Sequence, residues 1–353
     1  MQSRNKKQFK YIIILVYLII NIMIRKKFKK IGIVGLQHSQ NIGNNLLKYA
    51  IFIKISELGF DPIIIGEKFG NSNISFLLKN VKVRLINKDF NEINKNDYDI
   101  LMVNSDQTWR NVRNRFFYDV AFLNFSRNWK IPKFVYGASI GLDYWQYTKK
   151  EDEIAKSLIK DFNGISVREK GSIKLIEEHL GFKPILVLDP TLLIEKKHYL
   201  NLIKNFKINN NLENNFIFIY SLTNSKQLKI FIKNITEKYN YKIFLININV
   251  IDQIEKFIYG IYKCKAVITD SFHGTIFSII FNKPFISFVS NGRGRERFNT
   301  LKEIFNLHNR IFNFDSNPDI NLLEKPLKIN KNILNYLKKQ SIRFLKSNLF
   351  LSK

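Results

Sequence analysis

Three residues capable of chemistry, Asp270, Ser271 and His273, stand close together in TDSFHGT (269–275), between the apolar runs AVIT and TIFSIIF. AVIT (266–269) reads as a short buried strand, and TIFSIIF as a buried helix ending before Asn282 and Pro284. The polar residues, with Gly274 and Thr275, then fall where a strand's carboxyl end meets a helix's amino end. Open α/β sheets bind ligands there, because the first helical N–H groups lack partners and the helix dipole favours an anion. An imidazole at that position suits a phosphate contact or proton transfer near neutral pH. The bland alternative is a histidine capping its own helix, and Ser271 can serve as an ordinary N-cap. Arg168, after GISV, occupies a similar strand end. Its planar fork fits a carboxylate or phosphate, the rival being an ion pair with Glu169 or another acid. Asp106, in NSDQTW (104–109), ends another strand. It is a candidate general base or a helix-capping Asp, while Gln107 and Trp109 could hold a sugar by hydrogen bonds and stacking or simply belong to the core.

The elements around these residues alternate. IGIVGL (31–36), PIII (62–65), YDILMVNS (98–105), KFVYGAS (133–139) and GISVRE (164–169) read as strands, separated by helical segments such as LLKYAIFIKISELGF. A second series begins at FIFIYSL (216–222) and continues through KIFLINI, DQIEKFIYGIYKC and AVIT. This is the pattern of parallel sheets with crossover helices, and the polar stretch 201–215 is the candidate linker. The expected fold is α/β, with two Rossmann-like domains facing a cleft. The divisions are an extension at 1–29, domains at 30–200 and 201–330, and a basic amphipathic helix at 331–353 that packs back onto the body.

The 353 residues suffice for two domains with cores, and 45% hydrophobic content excludes general disorder. A single cysteine, Cys264, excludes a disulfide framework and a Cys-based zinc site, and fits a reducing compartment. A net charge of +28 invites a nucleic-acid partner, but the basic residues are scattered and no binding signature accompanies them. The excess of Asn, Lys and Ile reads as A/T-rich codon usage. Anionic membrane surfaces and phosphorylated substrates fit the charge better. Residues 11–24, YIIILVYLIINIMI, form an apolar run with basic flanks on both sides. As a helix it covers about 21 Å, short of a bilayer's roughly 30 Å core. An interfacial anchor, a short span and a start-site artefact upstream of Met23 all remain open.

In order, IGIVGLQHSQNIGNNLLKYA, ILMVNSDQTWR, FVYGASIG, ISVREKGSIKLIEEHLGFKPILVLDPTLLI, IFIYSL, AVITDSFHGTIFSIIFNKPFISF and RGRERFNTLKEIF resemble the polysaccharide pyruvyl transferase family over about residues 30–310. The resemblance implies a GT-B-like fold and transfer of a pyruvyl group from phosphoenolpyruvate to a sugar, forming a cyclic ketal and releasing phosphate. Phosphoenolpyruvate is a co-substrate; no cofactor or metal is implied. The acceptor is a saccharide or lipid-linked saccharide of a cell-surface polysaccharide, with the enzyme in the cytoplasm or peripheral at the inner membrane face. His273 and Asp106 are the catalytic candidates. Arg168, Ser271, Gly274, Thr275 and Arg297 fall to the donor, the last through its RF-x-TL match. Asn41, Gly43 and Asn44, in the first loop, join Gln107 and Trp109 on the acceptor side. The first domain is then the acceptor side and the second the phosphoenolpyruvate side. His38, Ser139, Arg293 and Arg295 are weaker candidates, and Asp189 in LDPT reads as a structural Asp-Pro turn. A nucleotide-sugar glycosyltransferase and a degenerate, non-catalytic relative are the alternatives.

Overall fold

The structure, a computed structural model, describes residues 28–36, 41–67, 74–87, 89–111, 117–206, 215–223, 225–239, 241–246, 253–289 and 294–351. The apolar run 11–24, His38, Arg293 and most of the expected linker lie outside the described residues.

The first lobe is built on strands β1 (Lys30–Val34), β2 (Asp61–Glu67), β3 (Val83–Ile86), β4 (Ile100–Val103), β5 (Lys133–Ala138), β6 (Gly164–Val167) and β7 (Ile185–Leu186), in the order β3-β2-β1-β4-β5-β6-β7. All neighbours pair in parallel, with Ile31 opposite Ile100 and Val34 opposite Val103. The central strands are apolar at successive positions because helices cover both faces, the condition under which parallel sheets persist. The helices of this lobe are α1 (Ile42–Glu57), α2 (Ile74–Asn80), α3 (Phe117–Phe122), α4 (Lys149–Ile159), α5 (Lys170–Leu180) and α6 (Lys196–Leu202). A capping box between Thr148 and Glu151 starts α4.

The second lobe carries β8 (Phe216–Tyr220), α7 (Lys226–Tyr239), β9 (Lys242–Leu245), α8 (Ile254–Lys263), β10 (Ala266–Thr269), α9 (Phe272–Ile280), β11 (Phe285–Val289), α10 (Arg295–Phe305) and β12 (Ile311–Asn313). Its parallel sheet runs β12-β11-β10-β8-β9. Each sheet reverses its winding at one point, between β1 and β4 in the first and between β8 and β10 in the second. A crevice opens at such a point beyond the strands' carboxyl ends. Asp106 follows β4 and His273 follows β10, so both candidates stand at switch points.

The lobes share an apolar core. The first half of α1 is buried all round, as expected of a helix between two layers. Rings run from Tyr49 on α1 through Tyr199 to Phe277 on α9, at centroid separations of 6.3 and 4.8 Å. The chain ends with α11 (Lys331–Leu349), which returns to the first lobe. Phe344 packs on the rings of Phe134 and Tyr136, and Ser341 accepts a hydrogen bond from the Leu188 amide at 2.9 Å.

Candidate active site between the lobes

Beyond β4 the backbone turns sharply. Asp106 takes φ = +98°, sparsely populated for a residue with a Cβ, and forms an isolated bridge with Ala138. The turn aims the carboxylate at the seam between the lobes. Its Oδ1 accepts from the Gln107 amide at 2.9 Å and from Arg168 Nη2 at 2.7 Å, while Oδ2 accepts from Asn44 Nδ2 at 2.9 Å. Asn44 sits in the first turn of α1, held by the N-cap Asn41, whose side chain accepts from the Gly43 and Asn44 amides.

Arg168, at the end of β6, is buried and donates its other terminal nitrogen to Asp189 Oδ2 at 2.5 Å. A buried guanidinium is tolerable only when paired and hydrogen-bonded. Burial alone would pull the Arg168 pKa down, but Asp106 and Asp189 outweigh it and raise it. Burial likewise opposes ionisation of the two acids. The Arg168, His273 and Arg297 charges overcome it at Asp106, and the His273 and Arg168 interactions overcome it at Asp189. Both carboxyls are held well below the usual carboxylate range.

The second lobe contributes α9. Asp270 accepts from the Leu222 amide at 2.6 Å, Ser221 Oγ at 2.8 Å and the Thr223 amide at 2.9 Å, tying down the loop after β8. Ser271 is the N-cap and accepts from the Gly274 amide at 3.3 Å. Gly274 is required by close packing, since a Cβ there would overlap Thr269 Oγ1. His273 projects into the seam. Its ring lies against Gly43, where a Cβ would overlap Nδ1, and its Nε2 stands 3.7 Å from Asp189 Oδ2. The Phe272 ring meets both guanidiniums, with Arg168 Cζ 5.1 Å and Arg297 Cζ 4.8 Å from its centroid. Arg297 Nη1 is 3.8 Å from Asp106 Oδ1. Burial, reinforced by Arg168, draws the Arg297 pKa down to about 10.

Asp106, Arg168, His273, Arg297, Gly43 and Asn44 therefore meet around one seam. Buried side-chain atoms without hydrogen-bond partners occur here on Asn44 (Oδ1), Gln107 (Nε2), Arg168 (Nε) and His273 (Nε2). Buried polar groups are normally satisfied, so these four atoms are candidates to meet polar atoms of a ligand.

Other expected residues have different surroundings. Trp109 is 0% exposed and donates Nε1–H to the Ala121 carbonyl at 2.8 Å, so its ring packs the core and has no face for a saccharide. Thr275 is buried, its hydroxyl engaged with the Ser271 carbonyl at 3.1 Å and Ser287 Oγ at 2.7 Å. Asn41 is exposed, its carboxamide oxygen used for capping. The ion-pair partners of Arg168 are Asp106 and Asp189. Glu169 turns away, accepting from Ser139 Oγ at 2.7 Å, the Gly141 amide at 2.6 Å and Ser172 Oγ at 2.5 Å. Cys264 is buried beside α8, and burial pushes its thiol up to about 12. Asp189 caps the turn expected of it, its Oδ1 accepting from the Thr191 amide at 3.0 Å, and its Oδ2 also reaches the seam. Its LDPT context does specify the turn, but the approach of Arg168 and His273 is set by the tertiary fold. Among the described residues no three His, Cys, Asp or Glu side chains are grouped to hold a metal ion, and no helix is long and apolar enough to cross a membrane.

Solved structures define the fold class. The S. aureus MnaA–UDP co-structure matches at TM-score 0.55 and 13% identity, covering 92% of this chain and 98% of its own. UDP-GlcNAc 2-epimerase from Neisseria meningitidis bound to UDP-GlcNAc matches at 0.53 and 13%, covering 91% and 100%. Arabidopsis thaliana UGT89C1 complexed with UDP-L-rhamnose matches at 0.54 and 8%, covering 92% and 99%. At these identities the likeness establishes the fold, the GT-B arrangement of two Rossmann-like lobes. No curated protein matches the chain in sequence. Residues 41–292 match the family described as polysaccharide pyruvyl transferase, and the chain belongs to that family.

Proposed function

We propose that the protein transfers the pyruvyl group of phosphoenolpyruvate to two hydroxyls of a sugar in a cell-surface polysaccharide or its lipid-linked precursor. The observation carrying this reading is the seam itself. An imidazole and a guanidinium from the second lobe meet an Asp–Arg–Asp chain from the first, among polar atoms lacking partners.

Each requirement of the reaction has a candidate. C3 of the donor gains a proton, its π pair forming the new C–H bond, and His273 would give that proton. The positive character left at C2 is quenched by a sugar hydroxyl oxygen, whose proton passes to a base. The C2–O bond to phosphate then breaks with its electron pair, and a second hydroxyl adds with loss of its proton to close the ketal. Arg297 and the free Nε–H of Arg168 suit the donor's carboxylate and phosphate. At rest Asp106 is a weak base because cations surround it. Donor anions engaging those cations would raise its proton affinity as the acceptor arrives, so donor binding would prepare the base. The +28 charge and the basic flanks of residues 11–24 support a cytoplasmic enzyme working at an anionic membrane surface.

Calorimetric titration with phosphoenolpyruvate tests the reading. Saturable binding weakened at least about tenfold in Arg297→Ala is expected, with His273→Ala still binding but releasing no phosphate in the presence of acceptor. Absence of binding at millimolar phosphoenolpyruvate, with saturable binding of a UDP-sugar, would overturn it in favour of a nucleotide-sugar glycosyltransferase.

A further inference from the structure

Asp189 has more partners than an Asp-Pro turn requires. One oxygen, Oδ1, does all the local work, accepting from the Thr191 amide at 3.0 Å and Thr191 Oγ1 at 2.6 Å. The other, Oδ2, points into the seam, where it meets Arg168 Nη1 at 2.5 Å and faces His273 Nε2 of the opposite lobe at 3.7 Å. The turn that carries it is braced from three directions. Tyr199 donates to the Thr191 carbonyl at 2.8 Å, Tyr136 donates to the Leu188 carbonyl at 2.9 Å, and Ser341 of α11 accepts from the Leu188 amide at 2.9 Å. The imidazole is confined as well, with its Nδ1 edge against the Gly43 backbone and its Nε2 left without a hydrogen-bond partner. A braced carboxylate on one lobe thus faces an otherwise unpartnered imidazole on the other.

We infer that Asp189 is the positioning residue for His273, an anion fixed in the first lobe that orients the ring carried by the second, so that the ring is ready only when the lobes are together. The inference rests on the pyruvyl-transfer reading for its catalytic meaning, but the pairing itself does not. A carboxylate near a ring nitrogen favours the imidazolium, the form that can deliver a proton. The other charged groups around the ring are Asp106 after β4, Arg168 after β6 and Arg297 on α10. All three remain in an Asp189→Asn variant, so the change reports the loss of one carboxylate.

The test is an NMR titration of histidine-labelled full-length protein, in which His273→Gln assigns one of five rings. In Asp189→Asn the His273 ring is expected to titrate about one pH unit lower than in wild type. Thr191→Val, which disturbs only the Oδ1 side, should move it by no more than a few tenths. In turnover assays Asp189→Asn should lower kcat by about 30- to 100-fold, leave KM for phosphoenolpyruvate within about threefold, and shift the alkaline limb of the rate profile to lower pH. An unmoved ring titration in Asp189→Asn, or an equal movement in Thr191→Val, would overturn the inference. If Asp189→Asn does not fold, Asp189→Glu replaces it. Retained charge with altered reach should keep the ring titration and lower kcat, and an unchanged kcat would count against positioning. Should no pyruvyl transfer be detected, the titration still decides the pairing, so the two readings fail separately.

Discussion

The loops after β4 and β10 occupy equivalent places in their sheets and are built in opposite ways. The first is a charged, strained turn. Asp106 sits at φ = +98°, and its carboxylate is the hub of a buried chain from Asn44 through Arg168 to Asp189. The second is relaxed: Ser271 is an ordinary extended N-cap at φ −96°, and the loop's hydrogen bonds close within its own lobe. The first loop holds charge rigidly, because buried ions persist only where partners surround them. The second presents one imidazole whose Nε2 makes no hydrogen bond and faces Asp189 Oδ2 of the first lobe at 3.7 Å. Fixed electrostatics on one lobe and an imidazole on the other is a division that the proposed transfer, which must bring two substrates together before protons move, would use.

The comparison breaks most sharply at Asp106. Asp106→Ala leaves two buried guanidiniums short of a partner, and urea unfolding should show a loss of about 3–5 kcal/mol. His273→Ala, by contrast, removes a buried ring that faces Asp189 at 3.7 Å but makes no hydrogen bond through Nε2, and should lower the unfolding midpoint less than Asp106→Ala does. Equal losses in the two variants would erase the distinction.

Acid provides a second, smaller test. Asp106 and Asp189 both titrate lower in the folded protein than in the unfolded chain, where a carboxyl titrates near about 3.9. As pH falls the unfolded chain therefore takes up these protons first. The stability the pair supplies is complete above about pH 5 and is lost progressively below about pH 4. Urea midpoints between pH 6 and 3.5 should fall steeply in wild type and more gently in Asp106→Asn. Parallel slopes would mean the cluster is not the origin.

The mildest probe is the place where the loops meet. Gly43→Ala puts a methyl group into the His273 ring, and overpacking of this kind costs about 1–3 kcal/mol. Stability should fall modestly, while turnover falls further because the ring is displaced. An unaffected turnover would show that the contact between Gly43 and the imidazole is incidental.

Much of this was legible in the chain. Apolar runs such as ILMV and FISFV announce parallel strands buried on both faces, and TDSFHGT places its polar residues at a strand end by simple periodicity. The family's succession of segments then identified the chemistry to look for. Side-chain surroundings were less accessible. Trp109 beside Gln107 could stack on a ligand or fill the core, and only the packing of α3 around it shows that it fills the core. Arg168 was readable as an anion ligand, yet its fork is filled by two carboxylates lying 62 and 21 residues away in the chain.

By itself, then, the sequence determined the alternation of strands and helices, the loops that carry polar residues and the family. Those features depend on local periodicity and on the order of segments. The tertiary structure alone decided that α1 lies between the lobes, that Asp189 faces His273, and that Asp106 adopts a conformation its own residue type resists. These depend on contacts between residues distant in the chain. Their geometry is set by how two sheets and a shared apolar core pack together, and no short stretch of sequence encodes that packing.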